Sequence, residues 1–305
     1  MSEAGRLVVA LGGNALLRRG ERPDSDIQIG HVAHASPALA KAATDHELIL
    51  VHGNGPQVGM LALQSGSDTS LTRPYAFSDL VAETQGLIGY WLQQGLANAG
   101  LVSQIVTLVT QTVVDAEDPA FRDKTKFVGS VYSEDEAREL ARTNDWSVRA
   151  DGVGWRRVVA SPMPHRIVEI GIAEMLLRNG VTVILAGGAG VPVIEGPRGL
   201  EGVDAVVDKD FTAALIAEVT NADVLVMLTD VSAVLTDFGT PSQQPIREIT
   251  VAGLEALTFP AGSMGPKVAA ACRFVKATGG RAAIGSLDEA AGVIDGSSGT
   301  QVLSG

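Results

Sequence analysis

The chain has 305 residues, a formal net charge of −12 and one cysteine. That acidic balance, with no basic tract, argues against nucleic acid and anionic membrane surfaces as partners. A single cysteine, Cys272, excludes an intramolecular disulfide, suits a reducing compartment, and reads as a buried structural thiol. The length allows one large α/β domain or two lobes. Hydrophobic residues make up 46% but aromatics only 4%, so Ala, Val, Leu and Gly must fill the interior. The first residues lack the basic-then-apolar form of a signal peptide, and no apolar run approaches the roughly 20 residues that span a bilayer. The expectation is a soluble cytoplasmic protein.

Apolar β-type runs alternate with helical stretches along most of the chain, the pattern of a parallel sheet covered on both faces. Strands are expected at 6–11, 47–52, 103–110, 181–186, 223–229 and 281–285. The first breaks into Gly12-Gly13-Asn14. The second breaks into His52-Gly53-Asn54-Gly55-Pro56-Gln57-Val58-Gly59. Ligands of α/β folds sit beyond the carboxyl ends of such strands, and glycine there lets backbone N–H groups approach an anion. The second loop is neither a P-loop nor a dinucleotide fingerprint, because the glycine spacing differs and no Gly-Lys-Ser/Thr follows. His52 is read as orienting the loop rather than acting as a base.

Ser78-Asp79 is expected to cap a helix over about 80–98, with Gly100 beyond its end. From about 118 to 155 charges are dense. There Ser133-Glu134-Asp135-Glu136 forms a capping box, and Arg149, Asp151, Gly152 and Gly154 suggest a turn between two short strands. This segment reads as an inserted subdomain projecting from the sheet, since structureless loops of that length are uncommon. A helix is expected over 166–179, closed by Gly180. A third glycine loop, Gly187-Gly188-Ala189-Gly190, follows the fourth strand and is expected to converge with the first two.

Asp208-Lys209-Asp210 precedes a helical run. It is either a solvated ion-pair cluster or a lysine held to meet a phosphoryl group. Thr229-Asp230-Val231 ends the fifth strand, and Asp237-Phe238-Gly239-Thr240-Pro241 follows as the possible wall of a nucleotide pocket. In Gly262-Ser263-Met264-Gly265-Pro266-Lys267, Pro266 fits the first turn of a helix reaching about Thr278, with Gly279-Gly280 as its stop. Lys267 then meets an unfavourable helix dipole worth about 0.3–1 kcal/mol, which a bound anion would reverse. The alternative is a surface lysine that tolerates the penalty.

In order along the chain, these pieces resemble the carbamate kinases of the amino-acid kinase superfamily. The resemblance also rests on Gln111-Thr112-Val113-Val114-Asp115, Asp118-Pro119-Ala120-Phe121 and Gly154-Trp155-Arg156-Arg157-Val158-Val159. It implies a three-layer αβα sandwich around a mainly parallel sheet, with a small projecting subdomain. Residues 1–215 would form an N-terminal lobe for carbamate or carbamoyl phosphate, and 216–305 a C-terminal nucleotide lobe. The implied reaction is ATP + carbamate ⇌ ADP + carbamoyl phosphate, with Mg²⁺ on the nucleotide, in a homodimer. Its implied direction is ATP synthesis in arginine or purine-derived catabolism.

By resemblance, Lys209 and Lys267 contact the transferring phosphate, Asp210 organises them, and Lys126 approaches from the subdomain. These four are the implied catalytic set. Gly12, Gly13, Asn14, Gly53, Asn54 and Gly55 would hold the small acid, and Asp208, Thr229, Asp230, Val231, Phe238, Ser263 and Met264 the nucleotide. No metal ligand is assigned to the protein itself. This sequence departs from the family pattern at Lys124, Phe127, Ala189 and Thr240. Carbamate is already an anion and needs no general base, so five histidines are no obstacle. The rivals are a kinase of another small carboxylate, a non-catalytic nucleotide or metabolite sensor, and, disfavoured by the glycine spacing, a dehydrogenase.

Overall fold

A computed structural model describes residues 5–18, 20–101, 104–259 and 264–305, without the side chains of Asn14 and Ala15. The chain opens with β1 (Arg6–Leu11), one helical turn α1 (Gly13–Leu16), and the long helix α2 (Ser25–Asp45). Then come β2 (Glu47–His52), α3 (Gly55–Ser67) and α4 (Phe77–Asn98). Strands β3 (Ile105–Thr107) and β4 (Gln111–Val114) follow. The next stretch holds β5 (Lys126–Tyr132), α5 (Glu134–Asn144), β6 (Ser147–Asp151) and β7 (Gly154–Val159). It leads to β8 (Pro164–Ile167), α6 (Ile170–Arg178), β9 (Thr182–Ile184), β10 (Val191–Gly196) and β11 (Gly199–Gly202). Helix α7 (Lys209–Val219), β12 (Val224–Thr229) and the small hairpin β13 (Leu235–Thr236) and β14 (Gln244–Pro245) come next. The chain closes with β15 (Glu248–Thr250), α8 (Val251–Glu255), α9 (Met264–Thr278), β16 (Arg281–Ser286), α10 (Ala290–Asp295) and β17 (Thr300–Leu303).

Eight strands form one sheet in the order β15-β17-β16-β12-β1-β2-β9-β3. Every neighbouring pair is parallel except β16 with β17. Alternate side chains leave a strand on opposite faces, and β1 shows the result. Val8 and Ala10 join the core beneath α6, α7 and α9, while Leu7, Val9 and Leu11 join the core beneath α2, α4 and α10. Each fully buried Leu or Val contributes about 1.5–3 kcal/mol. The outcome is the expected three-layer arrangement. The sheet runs unbroken from β2 through β1 to β12, and residue 215 lies inside α7, so no change of layer or sheet marks that position.

The expected inserted subdomain is a separate antiparallel sheet, β5-β7-β6, carrying α5. Ser133 Oγ accepts from Glu136 N at 3.3 Å, and Glu136 Oε2 accepts from Ser133 N at 3.0 Å, completing the capping box. Gly152, at φ +64°, turns β6 into β7 as the glycine pattern implied. The small sheet continues to Val159, past the expected limit of 155.

Four expectations differ. Ser78 and Asp79 lie inside the first turn of α4, which is capped by Ala76 rather than by them. The third strand ends at Thr107, because Gln85 Oε1 accepts from Thr110 N at 3.0 Å and draws the chain toward a second sheet, β11-β10-β4-β8. The helix expected from 166 starts at Ile170, because Pro164–Ile167 pairs with β4 in that second sheet. Helix α2 falls outside the expected elements altogether. Among the described residues, no helix is long and apolar enough to cross a membrane.

Candidate active site

Strands β2, β1 and β12 lie side by side and parallel, so their carboxyl ends share one edge of the sheet. There the loops after β1 and β2 close on each other. A Cβ on Gly53 would lie 2.8 Å from Gly13 N and 3.2 Å from Lys209 Cδ. Glycine is therefore needed at 53 for two loops and a lysine stem to meet. The N–H groups of Gly12 and Gly53 are already donated, to the carbonyls of Leu228 and Leu11, each at 2.8 Å. These two glycines stitch adjacent strand ends together and offer no spare N–H to an anion, unlike the cradle expected from sequence. Gly13 and Gly55 are half-buried at the starts of α1 and α3.

Asn54 is buried, and its Nδ2 donates to Thr84 Oγ1 at 2.8 Å. The third glycine loop packs behind it. A Cβ on Gly188 would meet Asn54 Nδ2 at 2.1 Å, and one on Gly187 would meet His52 Nε2 at 2.2 Å. That loop does converge on the other two, but its glycines make room for His52 and Asn54 rather than for a ligand.

His52 is buried, with Nδ1 donating to the Gly53 carbonyl at 3.1 Å. Its Nε2 has no hydrogen-bond partner among the described residues. Burial, opposed by the Gly53 hydrogen bond, lowers its pKa from 6.5 to about 4. The ring is neutral at neutral pH and orients the loop. The unfolded chain protonates His52 below 6.5 while the folded chain resists until about 4. Stability is therefore lost as pH falls across that window, by about 3 kcal/mol for this group. Urea unfolding at stepped pH checks this: His52→Asn should lose correspondingly less than the wild type, and identical pH slopes would contradict it.

The charged cluster lies where α7 begins. Asp208 caps the helix, its Oδ1 accepting from Asp210 N at 2.9 Å. Asp210 Oδ1 accepts from Lys209 Nζ at 2.8 Å, and its Oδ2 from Lys267 Nζ at 3.2 Å. Packing of α9 on α7 brings Lys267 to this carboxylate. The side chains of Lys209, Asp210 and Lys267 are 12%, 4% and 6% exposed, which excludes a solvated cluster and a surface lysine. Lys126 reaches in from β5 to pair with Asp208 Oδ2. Three ammoniums and two carboxylates thus meet at the start of α7.

Burial alone would raise the Asp208 carboxyl, but Lys126 and Lys209 outweigh it and hold it well below the usual carboxylate range. Burial opposes the Lys209 charge, yet Asp210 and Asp208 prevail and raise it. Burial and the Lys209 ammonium lower Lys267 against the pull of Asp210. The two lysines share one carboxylate, and the nearer one keeps its proton more tightly.

At the end of β12, Thr229 is buried and its Oγ1 donates to Asp230 Oδ1 at 3.0 Å. Val231 follows, half-buried. Met264 opens α9 against the larger core. Phe238 is 67% exposed on the β13–β14 hairpin. Ser263 lies outside the described residues. Among the described residues, no three His, Cys, Asp or Glu side chains gather in a metal-binding group. Sequence reasoning missed Thr84 and Gln85, which fix Asn54 and the β3–β4 bend. Their only signal was a polar pair within the apolar face of α4.

A sequence model described as the amino acid kinase family matches residues 5–286. The chain belongs to the amino acid kinase family. A carbamate kinase of Rhizobium meliloti (strain 1021) is 46% identical over 304 residues, covering 98% of this chain and 93% of the relative. A carbamate kinase from Giardia lamblia bound to AMP-PNP superposes with a TM-score of 0.89 at 39% identity, covering 99% of both chains. The same enzyme bound to citric acid superposes at 0.93, again at 39% identity and 99% of both.

Proposed function

We propose that this kinase catalyses ATP + carbamate ⇌ ADP + carbamoyl phosphate at the edge of the sheet formed by β2, β1 and β12. The observation that carries the reading is Asp210, whose two oxygens each hold one buried lysine. In a phosphoryl transfer the attacking carbamate oxygen is already anionic, so no side chain must remove a proton. The barrier is charge repulsion and alignment. Lys209 and Lys267 would meet the negative charge of the phosphoryl group in flight, fixed in place before the reaction by Asp210. Lys126 would face the small acid, exchanging its Asp208 partner for substrate. Gly13, Asn14, Asn54 and Gly55 would line that side, and Thr229, Asp230, Val231, Phe238, Ser263 and Met264 the nucleotide side.

Mg²⁺ would enter on the nucleotide phosphates, its usual mode in kinases, with few protein ligands. That fits a site whose Asp208 and Asp210 carboxylates are both engaged by lysines. When bound, the ion neutralises phosphate charge. The homodimer implied by the family is supported by exposed Tyr90, Ile172 and Met175 on α4 and α6, near the terminal strand β3.

A coupled ATP-formation assay with ADP tests the reading. Carbamoyl phosphate should support turnover far above that with the acyl phosphates of N-acetylglutamate or aspartate, and the reverse order would assign a different acid. The lowered Lys267 adds a pH expectation. As pH rises, Lys267 of the free enzyme loses its charge before an ordinary lysine does, so kcat/KM for carbamoyl phosphate should fall on an alkaline limb below the lysine range. Lys267→Arg should push that limb upward, and an unmoved limb would remove Lys267 as its source.

A further inference from the structure

We propose that Gly59 and Gly129 are positioning residues that set where Lys126 stands over the start of α7. This rests on the reading of Lys126 given above. A Cβ on Gly59 would lie 2.2 Å from Gly129 Cα and 2.4 Å from Gly129 N. Both obstructing atoms are backbone, so no side chain can turn aside. Helix α3 of the main body and strand β5 of the projecting subdomain therefore meet backbone to backbone at one point.

Other features fix that point. Gly129 sits at φ +73°, a conformation glycine adopts without strain, and β5 changes register against β7 between Val128 and Tyr132. Arg156 Nη2 donates to the Gly129 carbonyl at 2.9 Å, while its guanidinium lies 5.7 Å from the Phe127 ring. Val128 is buried against Val58, Ala62 and Phe77 of the main body. Lys126 is three residues upstream on the same strand, about 10 Å away. A displacement at Gly129 is thus carried to Lys126.

The subdomain is also held by the buried Val128 and Val159 and by the Ala160–Ala205 bridge at the end of β7. Arg157 stacks between Phe77 at 4.6 Å and Trp146 at 4.5 Å. Beyond it opens a cleft of about 1200 Å³ between residues 65–79 and the turn from Arg142 to Trp146. A methyl at Gly59 must push β5 away by about 1.3–1.8 Å to reach ordinary contact distance. That displacement is expected to move β5, and Lys126 with it, rather than a single side chain. A 1 Å misplacement of a substrate-positioning group costs on the order of 10² in efficiency.

The test is steady-state ATP formation by the full-length wild type, Gly59→Ala, Lys126→Ala and the double variant, with ADP and carbamoyl phosphate varied in turn. Gly59→Ala should raise KM for carbamoyl phosphate about tenfold or more while KM for ADP stays within twofold. In the Lys126→Ala background it should add nothing. A damaged Lys126→Ala beside a normal Gly59→Ala overturns the positioning role alone. Equal losses from Gly59→Ala in both backgrounds overturn it too, leaving a merely structural contact. A normal Lys126→Ala overturns the reading of Lys126 itself and the positioning role with it. Should Gly59→Ala fail to fold, Arg156→Ala loosens the same strand without a clash. It should show the same KM split, and an unchanged KM for carbamoyl phosphate contradicts the proposal.

Discussion

Replacing Lys267 by alanine should lower kcat for ATP formation by about 10²–10³, the usual cost of removing one preorganised charge donor from a water-poor site. The fold should survive. Asp210 keeps its 2.8 Å bond to Lys209, so the buried carboxylate is not orphaned. The change removes a cation that burial and its lysine neighbour already disfavour, which offsets part of the packing lost with its stem. Stability and activity are therefore expected to separate. The melting temperature should move by a few degrees while turnover collapses. Unchanged turnover would remove the helix-start lysine from the transfer site, and a collapse of both would make it structural.

Asp210→Asn should behave in the opposite way, damaging stability as well as activity. Asp210 neutralises Lys209 and Lys267 together, and its side chain is 4% exposed. An amide offers one oxygen and no charge, so two buried ammoniums face each other. Removing one partner of a buried ion pair costs about 3–5 kcal/mol, a large part of the 5–15 kcal/mol typical of a domain. Urea unfolding should show a loss of that order, with turnover falling at least as far as in Lys267→Ala. Carbamoyl phosphate should return part of the stability, because a bound anion supplies the missing negative charge and only the folded state binds it. An unchanged urea midpoint would mean the cluster is hydrated enough not to need its carboxylate.

The chain order of the fold was legible where the signal is local. Continuous apolar runs located β1, β2 and β12, and Ser133 with Glu136 marked the start of α5. The dipole argument at Lys267 looked to a bound anion, whereas the partner the structure shows is the Asp210 carboxylate, 57 residues away. What was illegible depends on such distant partners. Helix α2 carries Pro37 and a polar first turn, and its helical character comes from packing on α4 and α10. The glycines of the third loop matched the pattern of an anion cradle, but their reason is the bulk of His52 and Asn54. Gly12 and Gly53 lost their expected role because a strand-end N–H can serve the neighbouring strand as readily as a ligand, and only pairing reveals which. Gly59 was legible only as the last glycine of the second loop, since its constraint is the backbone of Gly129 arriving from another sheet.

The central claim is that Lys209 and Lys267 act as one unit, through Asp210, on one phosphoryl group. The most direct measurement is kcat for ATP formation from carbamoyl phosphate and ADP in Lys209→Ala, Lys267→Ala and the double variant, each checked for folding. Groups that act as a unit give non-additive losses. The double variant should therefore be little slower than the worse single variant. Losses that multiply would show two independent roles, and single variants as fast as the wild type would place phosphoryl transfer elsewhere in the molecule.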